Sequence, residues 1–312
     1  MKKLLLKISS ITVLIILLII FLTIFVDKLI LKNANFKLKS NINSVIIGHS
    51  HPQYSLNDEI IQNSVNLSYS LDTYFHSYIK LKHFVNSNNQ IKFLFVEYSN
   101  NCITEEMDNA MFNKNSKPKI VKYLPFMNLN EHFFILKNNP IVYSESKINS
   151  LSVYFRRLIN KEFDFTKEFG RFEPNNTIFN DTLLLKTKSF SPWYQKTFSF
   201  KNIYYLKKII SFCKTKKINL CLIRSPLHKK WVGRTNEYFY FKIKKIYFPK
   251  VALLDFSNFK LLNDEFSDFQ HLQKTGAIKF STFANLIISK IRFNKILTQE
   301  KIDSLIKEEY KI

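Results

Sequence analysis

From Ile8 to Val26 the chain is an almost unbroken apolar run, interrupted only by Ser9, Ser10, Thr12 and Thr23 and preceded by Lys2, Lys3 and Lys7. No polar face is available to set against water, and a helix lets such a run satisfy its own backbone N–H and C=O groups in hydrocarbon. At about 1.5 Å per residue, roughly 19 residues span about 28 Å, close to the thickness of a bilayer's apolar layer. A cleaved leader normally has a shorter core and a small-x-small site after it; here Phe25, Val26, Asp27 and Lys28 follow. Residues 1–33 are therefore expected to be a cytoplasmic stub and a retained transmembrane signal anchor. Lys28, Lys32, Lys37 and Lys39 sit just beyond the run and blur a charge-based orientation. A long domain crosses largely regardless of such charges, so a single pass with the carboxyl-terminal domain extracytoplasmic is the expectation, localised to the cell membrane.

The chain has 312 residues and a formal charge of +23. Its Lys and Arg are dispersed, and no zinc-finger, RNA-recognition or helix-turn-helix pattern accompanies them, so nucleic acid is not an expected partner. Next to a membrane segment, the charge suits anionic head groups or acidic surface polymers, although an evenly solvated lysine surface gives the same count. The 3 cysteines, Cys102, Cys213 and Cys221, have no metal-ligand spacing. They are expected as free thiols, with a Cys213–Cys221 bridge as the alternative. Glycine is scarce, at 4 residues, so Gly48 and Gly276 are expected where backbone geometry requires them.

After a polar linker, 34–43, short apolar runs alternate with helical periodicities. Strands are expected at Ser44–Gly48, Val65–Ser68, Ile91–Tyr98, Ile218–Arg224 and Val251–Phe256. Helices are expected at Thr73–Val85, Asn202–Cys213, Thr235–Ile246 and Thr275–Ile291. This alternation predicts an α/β domain over 44–296, a doubly wound parallel sheet in three layers. An irregular stretch, about 101–192, reads as a large insertion at one rim, with helices near Glu131–Leu136 and Ile148–Ile159. A charged tail, 297–312, closes the chain.

Doubly wound sheets place their sites beyond the carboxyl ends of their strands. There the first strand runs into Gly48-His49-Ser50-His51, which sets a hydroxyl on a tight turn. Near the other end, Asp268-Phe269-Gln270-His271 puts an acid three residues before a histidine. The carboxylate can accept from Nδ1–H and leave Nε2 as a general base. Either segment alone is compatible with an ordinary loop.

Taken together, strand-Gly-x-Ser and Asp-x-x-His-Leu-x-x-x-Gly-Ala before the last long helix resemble the SGNH (GDSL-like) hydrolase superfamily, over roughly residues 44–292. The resemblance implies Ser50 as nucleophile, His271 as base and Asp268 as its orienting partner. It also implies oxyanion donors at Ser50 itself, near Ser68, and at Asn100. The family's glycine after the second strand is missing, and His49 replaces the aspartate usual before the serine. His49, His51, Arg224 and His228 are candidate substrate contacts; His49 and His51 are a weaker metal pair, and no metal or cofactor is expected.

The anchor and these blocks together are similar to the alginate O-acetylation proteins and the D-alanyl transfer proteins of teichoic-acid modification. By that likeness the chain is a serine acyltransferase or esterase acting on acyl groups, acetyl foremost, of a cell-surface polysaccharide or other acylated envelope polymer. Its implied partner is a multi-pass membrane-bound O-acyltransferase. The alternatives are a catalytically degenerate protein of the same fold with a binding or assembly role, and a lipid-directed esterase.

Overall fold

The computed structural model describes residues 1–177, 179, 197–231, 233–234, 237–294 and 298–309. Parts of the expected insertion and tail, together with Thr235 at the start of an expected helix, lie outside the described residues. Two compact units are present. One comprises Met1–Phe36 with Met111–Phe165, and the other Lys37–Ala110 with Thr166–Ile312.

The larger unit is built on five parallel strands, β1 (Ser44–Ile47), β2 (Ser64–Asn66), β3 (Phe93–Glu97), β4 (Asn219–Arg224) and β5 (Leu253–Asp255), in the order β2-β1-β3-β4-β5. β1 and β3 are buried at every position, as expected for parallel strands covered on both sides. Ile46, Phe95, Ile223 and Leu254 form one face of the sheet core. Against them lie Phe280, Ala284, Ile287 and Ile291 of a long helix, Lys274–Asn294, and Ile302 of a second helix, Gln299–Glu309. The alternate strand positions face the other way. Helices Tyr74–Ser87 and Phe200–Thr215 pack on one another, and the latter contacts β4.

Chain order turns around between β1 and β3, since β2 lies on one side of β1 and all later strands lie on the other. At such a switch point the two following loops diverge and leave a crevice at the carboxyl ends. Gly48 ends β1 there, and a Cβ on it would come within 2.5 Å of the Glu97 side chain and 2.6 Å of Pro52. The absent side chain lets Glu97, the last residue of β3, close on the turn. Gly276 likewise lies against the Glu265 carbonyl, so both glycines singled out in the sequence occupy tight approaches.

The smaller unit contains α1 (Lys2–Asn33), α5 (Lys117–Tyr123), α6 (Leu129–Asn138) and α7 (Pro140–Asn160), where α2 to α4 are Ser50–Ser55, Tyr74–Ser87 and Glu106–Phe112. Among the described residues, α1 is the helix long and apolar enough to cross a membrane. The sequence reading understated α6 and α7, which are extended by their caps. Asn128 and Glu131 form a capping box, and the Asn139 side chain accepts from Val142 N–H at 3.1 Å, with Pro140 in the first turn. Each of α1, α5 and α6 packs against α7. Asp27 of α1 pairs with Lys147 of α7, and Phe36, Phe126 and Phe165 form an aromatic cluster.

Candidate active site

Ser50 opens the six-residue helix α2 directly after the β1 turn and is partly exposed. Its Oγ lies 2.7 Å from His271 Nε2, and His271 Nδ1 lies 2.7 Å from Asp268 Oδ2. The other carboxylate oxygen, Oδ1, accepts the backbone N–H groups of Gln270 (2.6 Å) and His271 (2.9 Å). Burial pushes the Asp268 carboxyl up, but the His271 ring and those two N–H groups outweigh it and hold it below its ordinary value. An ionised Asp268 keeps the His271 proton on Nδ1, which leaves Nε2 to accept from the serine hydroxyl. Residues 221 positions apart thus form a hydroxyl–imidazole–carboxylate chain.

A second imidazole reaches the same serine. His49 Nδ1 accepts the Ser50 N–H at 2.7 Å and stands 3.1 Å from Ser50 Oγ. That acceptance places the ring proton on Nε2, which faces Glu97 Oε1 and Asn101 Oδ1, each at 3.2 Å. Glu97 also accepts His49 N–H at 2.7 Å and Ser99 Oγ–H at 2.9 Å. His51 is buried, with Nδ1 3.1 Å from Glu97 Oε1 at an ion-pair separation, although neither ring nitrogen has a well-directed hydrogen bond among the described residues. Burial disfavours the Glu97 anion, yet the two histidines and the His49 N–H draw its carboxyl down to about 2. Burial outweighs Glu97 at His49, which is lowered to about 4 and is neutral near neutrality.

His49, Glu97 and Cys102 bring ligand-type atoms within 4.8 Å of one another. A metal-bound histidine usually donates its remaining N–H, whereas His49 Nδ1 accepts one and its proton sits on the nitrogen facing the group. Burial also drives the Cys102 thiol well above its usual value. These residues are arranged to share protons, and they fit a metal poorly.

The expected oxyanion donors are placed differently from the sequence reading. The Ser50 N–H is taken by His49, and the Ser68 N–H by Asn66 Oδ1 at 2.9 Å. Asn100 is fully buried and turned away: its Nδ2 donates to Gly233 O and Glu237 Oε1, while its Oδ1 accepts from Arg224. Its neighbour Asn101 faces the site instead, with Oδ1 2.7 Å from Ser99 Oγ and Nδ2 reaching Gln270 Oε1 at 3.4 Å. One step along the turn after β3 reverses which side a side chain takes, and the Asn100-Asn101 pair hides that register.

Among the expected substrate contacts, Arg224 is corrected most firmly. It is fully buried, paired with Glu237 and Asp255, and lies 4.4 Å from the Tyr240 ring centre, so it cannot meet a substrate. His51 is likewise enclosed by protein, its ring 5.6 Å from that of His271 and 6.0 Å from Trp231. His228 is buried except where it lines a cleft of about 620 Å³ with Lys229, Arg234, Lys260, Phe259 and Phe266; its Nε2 is 3.1 Å from Asn263 Oδ1. The sequence reading missed Glu97 and Asn101. An acid ending the apolar strand FLFVE was the available signal for Glu97. The three cysteines are free and buried, without the alternative bridge.

One protein-family profile, which carries no functional description, matches residues 154–292. It takes in Asp268 and His271 but not Ser50, and covers less than half of the chain. No curated protein matches the sequence.

Proposed function

We propose that the larger unit is a serine hydrolase or acyltransferase of the SGNH type, tethered by α1 as a single-pass anchor with its sheet domain outside the cell. The observation that carries this reading is the pair of 2.7 Å contacts joining Ser50 to His271 and His271 to Asp268 at the switch point of a parallel sheet. Ser50 Oγ attacks the acyl carbonyl as its proton passes to His271 Nε2. The leaving oxygen takes that proton, and an acyl-serine ester remains. A sugar hydroxyl, or water in an esterase, then gives its proton to His271 and receives the acyl group, and Ser50 Oγ takes that proton back from Nε2 as its ester bond breaks. No cofactor is needed. The basic surface suits an acidic, acylated envelope polymer, and a multi-pass O-acyltransferase is the natural donor of the acyl group.

Attack develops negative charge on the carbonyl oxygen, and Ser50 N–H is the nearest backbone donor. Its hydrogen bond to His49 Nδ1 has to yield for it to serve. A second reading takes this as a sign of a fold retained for binding or assembly, because all three expected donors are engaged elsewhere. A fluorophosphonate probe separates the two: labelling of the wild type but not of Ser50→Ala supports the enzyme, and absence of labelling in both supports the binding protein.

A further inference from the structure

Helix α7 is inside out by the standards of a helix in water. Its buried residues are Val142, Ser146, Ser150 and Tyr154, with Ser146 and Ser150 at 0% and 1% exposure. Its large apolar side chains face outward: Ile141 at 66%, Ile148 at 56%, Phe155 at 46% and Ile159 at 76%. At roughly 100° per residue these four fall within about 40° of one another, on the side opposite the buried set. Leu151 and Leu158, partly exposed, widen the same stripe. Helix α6 continues the pattern, with Leu129, Phe133 and Leu136 exposed at i, i+4 and i+7. Small residues inward and large apolar residues outward is the arrangement of helices that pack closely and have lipid around them.

The position of α7 within its unit names the occupant. It packs on α1, whose buried residues are Thr23, Val26, Asp27 and Ile30, at the end of the apolar run. The Asp27–Lys147 ion pair fixes this level, since Asp27 is the first charge after the run. A helix held beside the last turns of a membrane span lies at the depth where acyl chains meet head groups. Arg156, beside the stripe, and Lys137 on α6 are exposed cations suited to anionic head groups.

We infer that α6 and α7 form a monotopic membrane collar: the Ile141–Ile148–Phe155–Ile159 stripe and the apolar edge of α6 embed in the acyl-chain boundary of the same bilayer that holds α1. The occupant is lipid. This inference rests on α1 residing in a bilayer and is independent of the chemistry at Ser50.

The test uses the full chain reconstituted in vesicles of phosphatidylglycerol and phosphatidylethanolamine, with single cysteines introduced along 141–160 and labelled with an environment-sensitive fluorophore. The native thiols are buried, and the parent chain controls for their labelling. Lipid nitroxides attached near the head of the acyl chain should quench labels at Ile141→Cys, Ile148→Cys, Phe155→Cys and Ile159→Cys about twofold or more above those at Asn149→Cys and Asn160→Cys, with a helical period. Quenching of the stripe by aqueous iodide in place of lipid nitroxide overturns the collar. Protection from both quenchers overturns it too, because a protein surface then covers the stripe.

Discussion

Two charged clusters end neighbouring strands of the same sheet, and their surroundings give them opposite characters. At β1 and β3, Ser50, His271 and Asp268 are partly open to solvent and linked through a histidine whose proton can move. At β4 and β5, Arg224 is sealed and gripped by Glu237, Asp255 and Asn100 in a fixed ion-pair cluster. Residue type therefore says little about role. Under the proposed function, chemistry belongs to the cluster at the switch point, where loops part. The other lies where the following segments close over it, and its charges hold β4, β5 and the helix Glu237–Tyr247 in register.

The sharpest way to break this contrast is Ser50→Ala. It should lower ester turnover by about 10⁴-fold or more with an unchanged melting temperature, measured on the full chain in detergent. Arg224→Ala should do the reverse. Leaving Glu237 and Asp255 without their cation should cost about 3 kcal/mol, the lower end for a broken buried pair because both carboxylates reach solvent. Thermal or urea unfolding reads that loss, and turnover per folded molecule should hold. If Arg224→Ala instead lost turnover at full stability, the two clusters would not be distinct.

A pH series sharpens the comparison further. His49 has a folded value of about 4 against about 6.5 unfolded, so its neutral form is favoured by the fold. Its contribution is complete above about 6.5 and is lost progressively as pH falls from there to about 4, roughly 3 kcal/mol in all. Glu97, at about 2, carries the loss to lower pH. Unfolding midpoints should fall across this window, and His49→Gln should flatten the upper part of the decline. The smallest effect separates the adjacent asparagines. Asn101→Ala, which loosens His49 and Ser99, should lower kcat about tenfold with modest change in stability, whereas Asn100→Ala should mainly lower stability, by about 1 kcal/mol. Equal kinetic effects from both would remove the distinction.

Helices α7 and Lys274–Asn294 make the same point about packing, since both have 21 residues and obvious apolar content. Lys274–Asn294 hides Phe280, Ile287 and Ile291 against the sheet, as its periodicity indicates. The periodicity of α7 is equally legible but leaves open which side packs. Small serines are buried on the inward side, and the isoleucines are left outside.

What the amino-acid order determined on its own was whatever depends on near neighbours. This includes the apolar length of α1, the alternation that makes a parallel sheet, and the Asp268–His271 spacing that lets one side chain meet the next. Tertiary structure decided everything that joins distant segments. It brought Glu97 under the turn cleared by Gly48, chose Asn101 over Asn100, gave the Ser50 N–H to His49, and buried Arg224 away from any substrate. The physical reason is that a side chain's partners, its burial and hence its proton affinity are set by what packs around it, and those neighbours arrive from strands and helices far away along the chain.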